Sequence, residues 1–411
     1  MRTMAAMGAE LVRVDLRWDL VARRRPARPR DPGDPAYEWR HYDRVVDAAR
    51  AEGLRVLAAI WGTPAWAADP EVPPSDRFPP WATRPSDPGD LGRFAAAAAR
   101  RYAPRVRLWE AWNEPNLPLF LRPQYARRGG RLEAVSPRDY SRMLRSVYRE
   151  VKRVDPGARV GGGVTAPAGD RCPLRCPTGP DDRVAPLDFA RGLAAPGNRP
   201  PMDAYSHHPY PLTPPRRETA RAASYVDLYN LGRLRRLLGG TYLAGRPLWL
   251  SEIGFATAPT REYPLSFGEA EQARLLADAH RRLREVPGVE LVTWYPLQDG
   301  RAWRSGLLRA DGSEKPAADA YRLPAAPEDP DARDPWAPAA VVGQVRAADG
   351  PVEVALERRA VGRWLRVSRA ATTADGTFRA VAPPPVRGVY RIVSEGPPRR
   401  VGRPLRLGPR P

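Results

Sequence analysis

Two glutamates stand at the ends of short apolar runs. Glu114 follows Trp109-Glu110-Ala111-Trp112-Asn113, and Glu252 follows Leu248-Trp249-Leu250-Ser251. Apolar runs of this length are typical of buried strands, so each Glu is offered where a strand gives way to a loop. Two carboxylates held this way suit cleavage of a glycosidic bond. One donates a proton to the leaving oxygen, and the other attacks or stabilises the anomeric carbon. The acid must carry its proton at rest, which calls for burial or a neighbouring carboxylate to raise its pKa. Glu110 competes for the same role. It lies four residues before Glu114, so strand alternation puts both on one face, with Glu110 deeper and beyond reach of a substrate.

The elements that must position these residues recur along the chain. Strands are expected at Leu11–Trp18, Leu54–Gly62, Val106–Asn113, Arg159–Thr165, Met202–His208, Leu248–Gly254 and Glu290–Pro296. Helices are expected at Trp39–Glu52, Leu91–Tyr102, Pro137–Val154, Leu228–Leu238 and Ser266–Glu285. Strands alternating with helices mean parallel pairing through right-handed crossovers. The expected fold class is α/β: a (β/α)8 TIM barrel lacking its first strand, because a closed barrel needs eight. Either that strand lies upstream of Met1, or the barrel is open or irregular. Long loops rich in Pro and Gly at 63–90, 115–136 and 166–186 would shape a cleft at one end.

A composition break near 323–336 reads as a linker. Beyond it come short alternating runs separated by turns such as Ala-Asp-Gly at 348–350 and 374–376, the pattern of a small all-β sandwich. The domains expected are therefore a catalytic barrel at 1–325, a Pro-rich linker at 326–335 and a β-sandwich module at 336–411. The module would bind polysaccharide or brace the barrel, with Trp336 and Trp364 able to serve either role.

Trp-Asn-Glu-Pro-Asn at 112–116 and Trp-Leu-Ser-Glu-Ile-Gly at 249–254, in this order and spacing, resemble the signatures of retaining glycoside hydrolases of the (β/α)8 superfamily. These carry their catalytic glutamates on strands 4 and 7, and the likeness is greatest to the cellulase-like and β-xylosidase-like families. It covers residues 1–322 or so. The resemblance implies Glu114 as acid/base and Glu252 as nucleophile, acting on β-linked O-glycosidic bonds. It implies that Asn113 binds the sugar 2-hydroxyl, and that Tyr210 or His208 hydrogen-bonds the nucleophile. Arg13 would support the nucleophile. Trp294 would stack on sugar or pack in the core, and Arg17, Trp61 and Trp66 would extend the substrate surface. Many of these enzymes carry a His near the position of Trp61, which this chain lacks. Gln298 and Asp299 are further candidates for sugar hydroxyls. Along the first strand, Arg13, Asp15 and Arg17 share one face, and charges facing a barrel interior must pair. His207 points away from His208, to pack or face solvent.

The chain has 411 residues and a net charge of +20. Almost all of the positive charge is Arg, scattered among Ala and Pro without basic runs interleaved with aromatics, so nucleic acid is not expected as a partner. No segment is long and apolar enough to span a membrane. Cys172 and Cys176 lie in a Pro-rich loop; they are either unrelated thiols or a local disulfide, and a disulfide belongs to an oxidising compartment. No metal-ligand cluster, phosphate loop or Ser-His-Asp set is legible, so neither metal nor cofactor is expected. The expected partner is a glycoside, oligosaccharide or polysaccharide. Location would be extracellular or cell-surface if an export signal lies upstream, and cytoplasmic otherwise. The alternative is a carbohydrate-binding protein on a degenerate barrel, without catalysis.

Overall fold

The computed structural model describes residues 1–172, 176–212, 224–259, 265–301, 303–348, 350–397 and 399–408. The chain divides into two compact bodies. One comprises Glu10–Ile253 with Gly288–Thr293, and the other Met1–Ala9, Gly254–Pro287 and Trp294–Pro411.

The first body is built on a parallel sheet. Its strands are β1 (Leu11–Arg17), β2 (Arg55–Trp61), β3 (Leu108–Ala111), β6 (Arg159–Thr165), β7 (Ala204–His207), β8 (Leu248–Ile253) and β9 (Val289–Trp294), hydrogen-bonded in that order. Between β3 and β6 a hairpin of β4 (Tyr125–Arg128) and β5 (Arg131–Ala134) forms a separate two-stranded sheet. Registered pairs from β1 to β8 are all parallel. Seven strands with crossover helices make a TIM-like α/β sheet, as the sequence led us to expect. Leu57, Ala204 and Trp249 from three of the strands are fully buried together.

The helices of this body follow from local sequence. In α4 (Pro88–Tyr102), Asp87 caps the N-terminus by accepting from the Gly89 N–H, and Pro88 occupies the first helical position, where its missing N–H costs nothing. In α5 (Ser136–Val154), Tyr140, Met143, Leu144, Val147 and Val151 are buried, one stripe at helical spacing. The two helices meet closely at Gly92, where a Cβ would lie 2.1 Å from Ser146 Oγ. Tyr140 reaches back to the sheet. Its hydroxyl donates to Ala111 O and accepts from Gly163 N–H, tying the ends of β3 and β6 to one helix.

The second body contains α8 (Glu269–Glu285), α9 (Pro316–Arg322) and two antiparallel sheets. One sheet has β10 (Ala325–Pro327), β11 (Ala339–Gln344) and β14 (Thr377–Ala382). The other has β12 (Glu353–Ala360), β13 (Arg363–Ala371), β15 (Gly388–Ser394), β16 (Arg400–Val401) and β17 (Leu405–Leu407). Val341, Phe378 and Ala380 from the first sheet share a core with Val354, Leu356, Tyr390 and Ile392 from the second, which is sandwich packing. The Pro-rich stretch begins as structure: Ala325–Pro327 pairs antiparallel with Val341–Gly343. Pro327 is tolerated because β10 is an edge strand, where a missing N–H breaks no ladder.

Candidate active site

Arg13 is the hub of the site. Its Nε donates to Glu110 Oε2 at 2.8 Å and its Nη2 to Asn113 Oδ1 at 2.8 Å. Its Nη1 is shared between Asp15 Oδ1 at 2.9 Å and Glu252 Oε1 at 2.8 Å. Burial works against the Arg13 charge, but the carboxylates of Glu110, Asp15 and Glu252 more than offset it, and the guanidinium pKa is raised. One rigid cation therefore fixes residues from three strands, β1, β3 and β8, and the turn after β3.

That turn is unusual. Trp112 and Glu114 both have positive φ, 78° and 40°, a region that non-glycine residues avoid. Such conformations cost about 1–3 kcal/mol each and concentrate at functional sites. Regular alternation thus stops at Ala111, so Glu114 is aimed by the strained turn and not by strand pleating. Asn116 locks the turn from below. Its Oδ1 accepts from Ala166 N–H, and its Nδ2 donates to Ala168 O and Val184 O.

His208 and Tyr210, just past β7, divide the work between the two glutamates. His208 Nδ1 lies 2.9 Å from Glu114 Oε1, and Nε2 lies 3.2 Å from Ser251 Oγ. Tyr210 donates its O–H to Glu252 Oε2 at 2.8 Å. The expectation left Tyr or His beside the nucleophile; it is Tyr210 that bonds Glu252, while His208 bonds Glu114. Burial lowers the His208 pKa, so the ring is neutral at physiological pH. Glu252 is pushed up by burial, with the nearby charges of Glu114 and Asp15 acting in the same direction and Arg13 opposing them.

Side-chain oxygens of Glu114 and Glu252 and a ring nitrogen of His208 all lie within 4.8 Å of one another. Two carboxylates and an imidazole are also a donor set that could hold a metal. Here, however, Glu252 already accepts from a guanidinium and a phenol, and the Arg13 charge at 2.8 Å opposes a second cation. The set fits proton transfer and nucleophilic attack by a carboxylate better than metal binding.

The other predicted residues make contacts of their own within each body. Asn113 is buried with its side-chain oxygen accepting from Arg13. Arg17 does not touch the glutamates. It makes a two-pronged ion pair with Asp19 and lies over the Trp61 and Trp81 rings at 4.2 and 4.7 Å. Trp61 packs edge-on against Trp81 and Phe120. Trp66 is braced by Trp18 and donates to Ala22 O. His207 is packed, with its nitrogens on Thr165 Oγ1 and Val226 O. In the second body, Trp294 packs against Phe255 and donates to Ser305 O. Asp299 there holds buried Lys315 at 2.7 Å, and Gln298 donates to Ala310 O, so both brace the turn. Cys172 and Cys176 form a disulfide; residues 173–175 between them lie outside the described residues.

Ser251 and the anchoring role of Glu110 escaped sequence reasoning. Ser251 adjoins Glu252 on β8, so alternation sends it to the opposite face and nothing marks it. Glu110 could have been found, because a buried Arg on β1 needs a buried carboxylate partner.

No protein-family model matches the chain, and no curated protein matches it. Solved structures do. A glucosidase from Croceicoccus marinus matches with a TM-score of 0.55 at 17% identity, over 92% of this chain and 90% of that one. GH5_18 from Streptomyces cattleya, in complex with Manb1-4GlcNAc, matches with a TM-score of 0.52 at 20% identity, over 77% of this chain and 71% of that one. The same protein in complex with GlcNAc gives a TM-score of 0.51 at 17% identity, over 78% and 71%. At this identity the likeness is one of backbone, and it agrees with a TIM-like α/β fold.

Proposed function

We propose that the chain hydrolyses β-linked O-glycosidic bonds with retention of configuration, with Glu114 as acid/base and Glu252 as nucleophile. The observation that carries this reading is the approach of the two carboxylates, with one oxygen of each lying within 4.8 Å of the other and of a His208 ring nitrogen. Retaining enzymes hold the pair about 5–5.5 Å apart, whereas inverting enzymes need roughly 6.5–9.5 Å to admit a water. The likeness to a glucosidase and to a protein bound to Manb1-4GlcNAc supports a carbohydrate substrate.

In the first step an oxygen of Glu252 bonds to the anomeric carbon as the bond to the leaving oxygen breaks, and Glu114 gives that oxygen its proton. In the second step Glu114 takes a proton from water, whose oxygen displaces Glu252. Arg13 and Tyr210 hold both Glu252 oxygens, so the attacking group is aimed and its charge stabilised. Neutral His208 can exchange a proton along the line from Glu114 to Ser251.

The test is hydrolysis of a panel of aryl β-glycosides by the wild type and by Glu252→Gln, with the anomer of the first-formed product read by NMR. Turnover by the wild type alone, with the β-anomer formed first, supports the reading. Equal turnover by both proteins sinks it. Sugar binding without hydrolysis by either favours a non-catalytic binder.

A further inference from the structure

Asp15 is the one charged group of the Arg13 network that opens to solvent. Its side chain is 41% exposed, against 6% for Arg13, 0% for Glu110 and 11% for Glu252. Its single hydrogen bond among the described residues is Oδ1 accepting from Arg13 Nη1. The same nitrogen donates to Glu252 Oε1, so the two carboxylate oxygens lie no further apart than the two bonds laid end to end. Asp15 is therefore a part-exposed carboxylate beside the proposed nucleophile, with Oδ1 on Arg13.

The charge balance around it is acidic. Arg13 is the one cation that Asp15, Glu110 and Glu252 share, and His208 is neutral. A carboxylate does not need to be here to hold Arg13, since Glu110 and Glu252 already do so from more buried positions. A hydroxyl could donate to the Asp15 carboxylate and gain a charge-assisted hydrogen bond. A second carboxylate entering with a ligand would instead meet like charge in a partly desolvated site.

We propose that Asp15 is a specificity residue of the sugar subsite at Glu252, accepting a hydrogen bond from a sugar hydroxyl and barring glycosides that carry a carboxylate. The substrates are then neutral glycosides, not uronides. This rests on the glycosidase reading of Glu114 and Glu252.

The experiment compares aryl β-glycoside pairs that differ only at C6, glucoside with glucuronide and galactoside with galacturonide, across wild type, Asp15→Asn and Asp15→Glu. We expect the wild type to favour the neutral member by about 100-fold or more in kcat/KM, the order expected of a like-charge contact. Asp15→Asn lowers the neutral rate by about 10-fold and narrows the neutral-to-uronide ratio by at least that factor. Asp15→Glu, which keeps the charge, keeps the ratio and so separates charge from packing. A merely structural Asp15 lowers both rates together. Turnover with an unchanged ratio in Asp15→Asn, or a wild-type preference for uronides, overturns this inference alone. Silence of the wild type toward every pair overturns the glycosidase reading, and this one with it.

Discussion

Tyr210 donates its phenolic hydrogen to Oε2 of Glu252 at 2.8 Å. With Arg13 on Oε1, both oxygens of the carboxylate are held by donors that prefer it charged. Burial and two neighbouring carboxylates push the other way and leave the Glu252 pKa raised. The ionised nucleophile is thus maintained by a contest in which each donor counts.

Removing the phenol should tip that contest. Tyr210→Phe deletes a hydrogen bond to the charged form, so the Glu252 pKa rises further. Activity then fails at a higher pH on the acid side, and kcat/KM at neutral pH falls by about 10-fold, the worth of a hydrogen bond to a charged group. The pH–rate profile of the wild type and variant decides this. An acid limb that stays in place means that Tyr210 does not govern Glu252.

Arg13 and Glu110 should behave as a coupled pair. Arg13→Gln leaves fully buried Glu110 without its cation, at a cost of about 3–5 kcal/mol. Glu110→Gln leaves Arg13 paired with Asp15 and Glu252, so it costs less. The double variant should be more stable than the sum of the single losses predicts, by about 2 kcal/mol, while remaining inactive. Urea unfolding of all four proteins measures the coupling. Additive losses would show that the buried contact contributes little.

Much of this arrangement is legible in the sequence. Periodicity located the seven strands of the parallel sheet, most as apolar runs and β1 as apolar residues alternating with Arg13, Asp15 and Arg17. Asn-Glu-Pro at 113–115 and the Glu at the end of β8 marked the two carboxylates. Period-2 alternation put Arg13 and Asp15 on one face of β1, and they do meet. What failed was extrapolation past a strand end. Glu114 follows two departures from extended backbone at Trp112 and Glu114 itself, and no propensity encodes where such a turn aims a side chain. Arg17, expected near substrate because it ends β1, pairs with Asp19 and lies over two tryptophans. Those partners come from the helix-like turn after β1, the end of β2 and loop 63–90, contacts that period-2 reasoning along one strand does not contain. Asp299, a candidate for sugar hydroxyls in the loop after Trp294, pairs with buried Lys315 from a later turn.

The raised pKa of Glu252 also makes a statement about stability. A carboxyl whose folded pKa exceeds its ordinary value of about 4.3 favours the fold most when neutral. That contribution is whole below the ordinary value and is lost as pH rises through the raised one. Glu252→Gln imitates the neutral form at every pH. It should therefore be more stable than the wild type at pH 7 and indistinguishable below about pH 4. Thermal unfolding at the two pH values tests this, and a difference that does not change with pH counts against it. The inactive variant would then be the sturdier protein, a common relation at active sites.

His208 offers the sharpest separation of the two carboxylates. Its Nδ1 touches Glu114 at 2.9 Å but stands 3.7 Å from Glu252, so its loss should disturb proton donation more than attack. Proton donation matters most when the leaving group is a poor one. His208→Gln should slow alkyl and unsubstituted phenyl glycosides by about 100-fold and barely slow a dinitrophenyl glycoside. A plot of log kcat/KM against leaving-group pKa becomes steeper. Ser251→Ala should steepen it in the same sense but less, because Ser251 meets only the far nitrogen. Tyr210→Phe provides the contrast: acting on the nucleophile, it should slow activated and unactivated substrates alike. A uniform loss in His208→Gln would instead assign the imidazole to Glu252, and the division of labour between His208 and Tyr210 would fall.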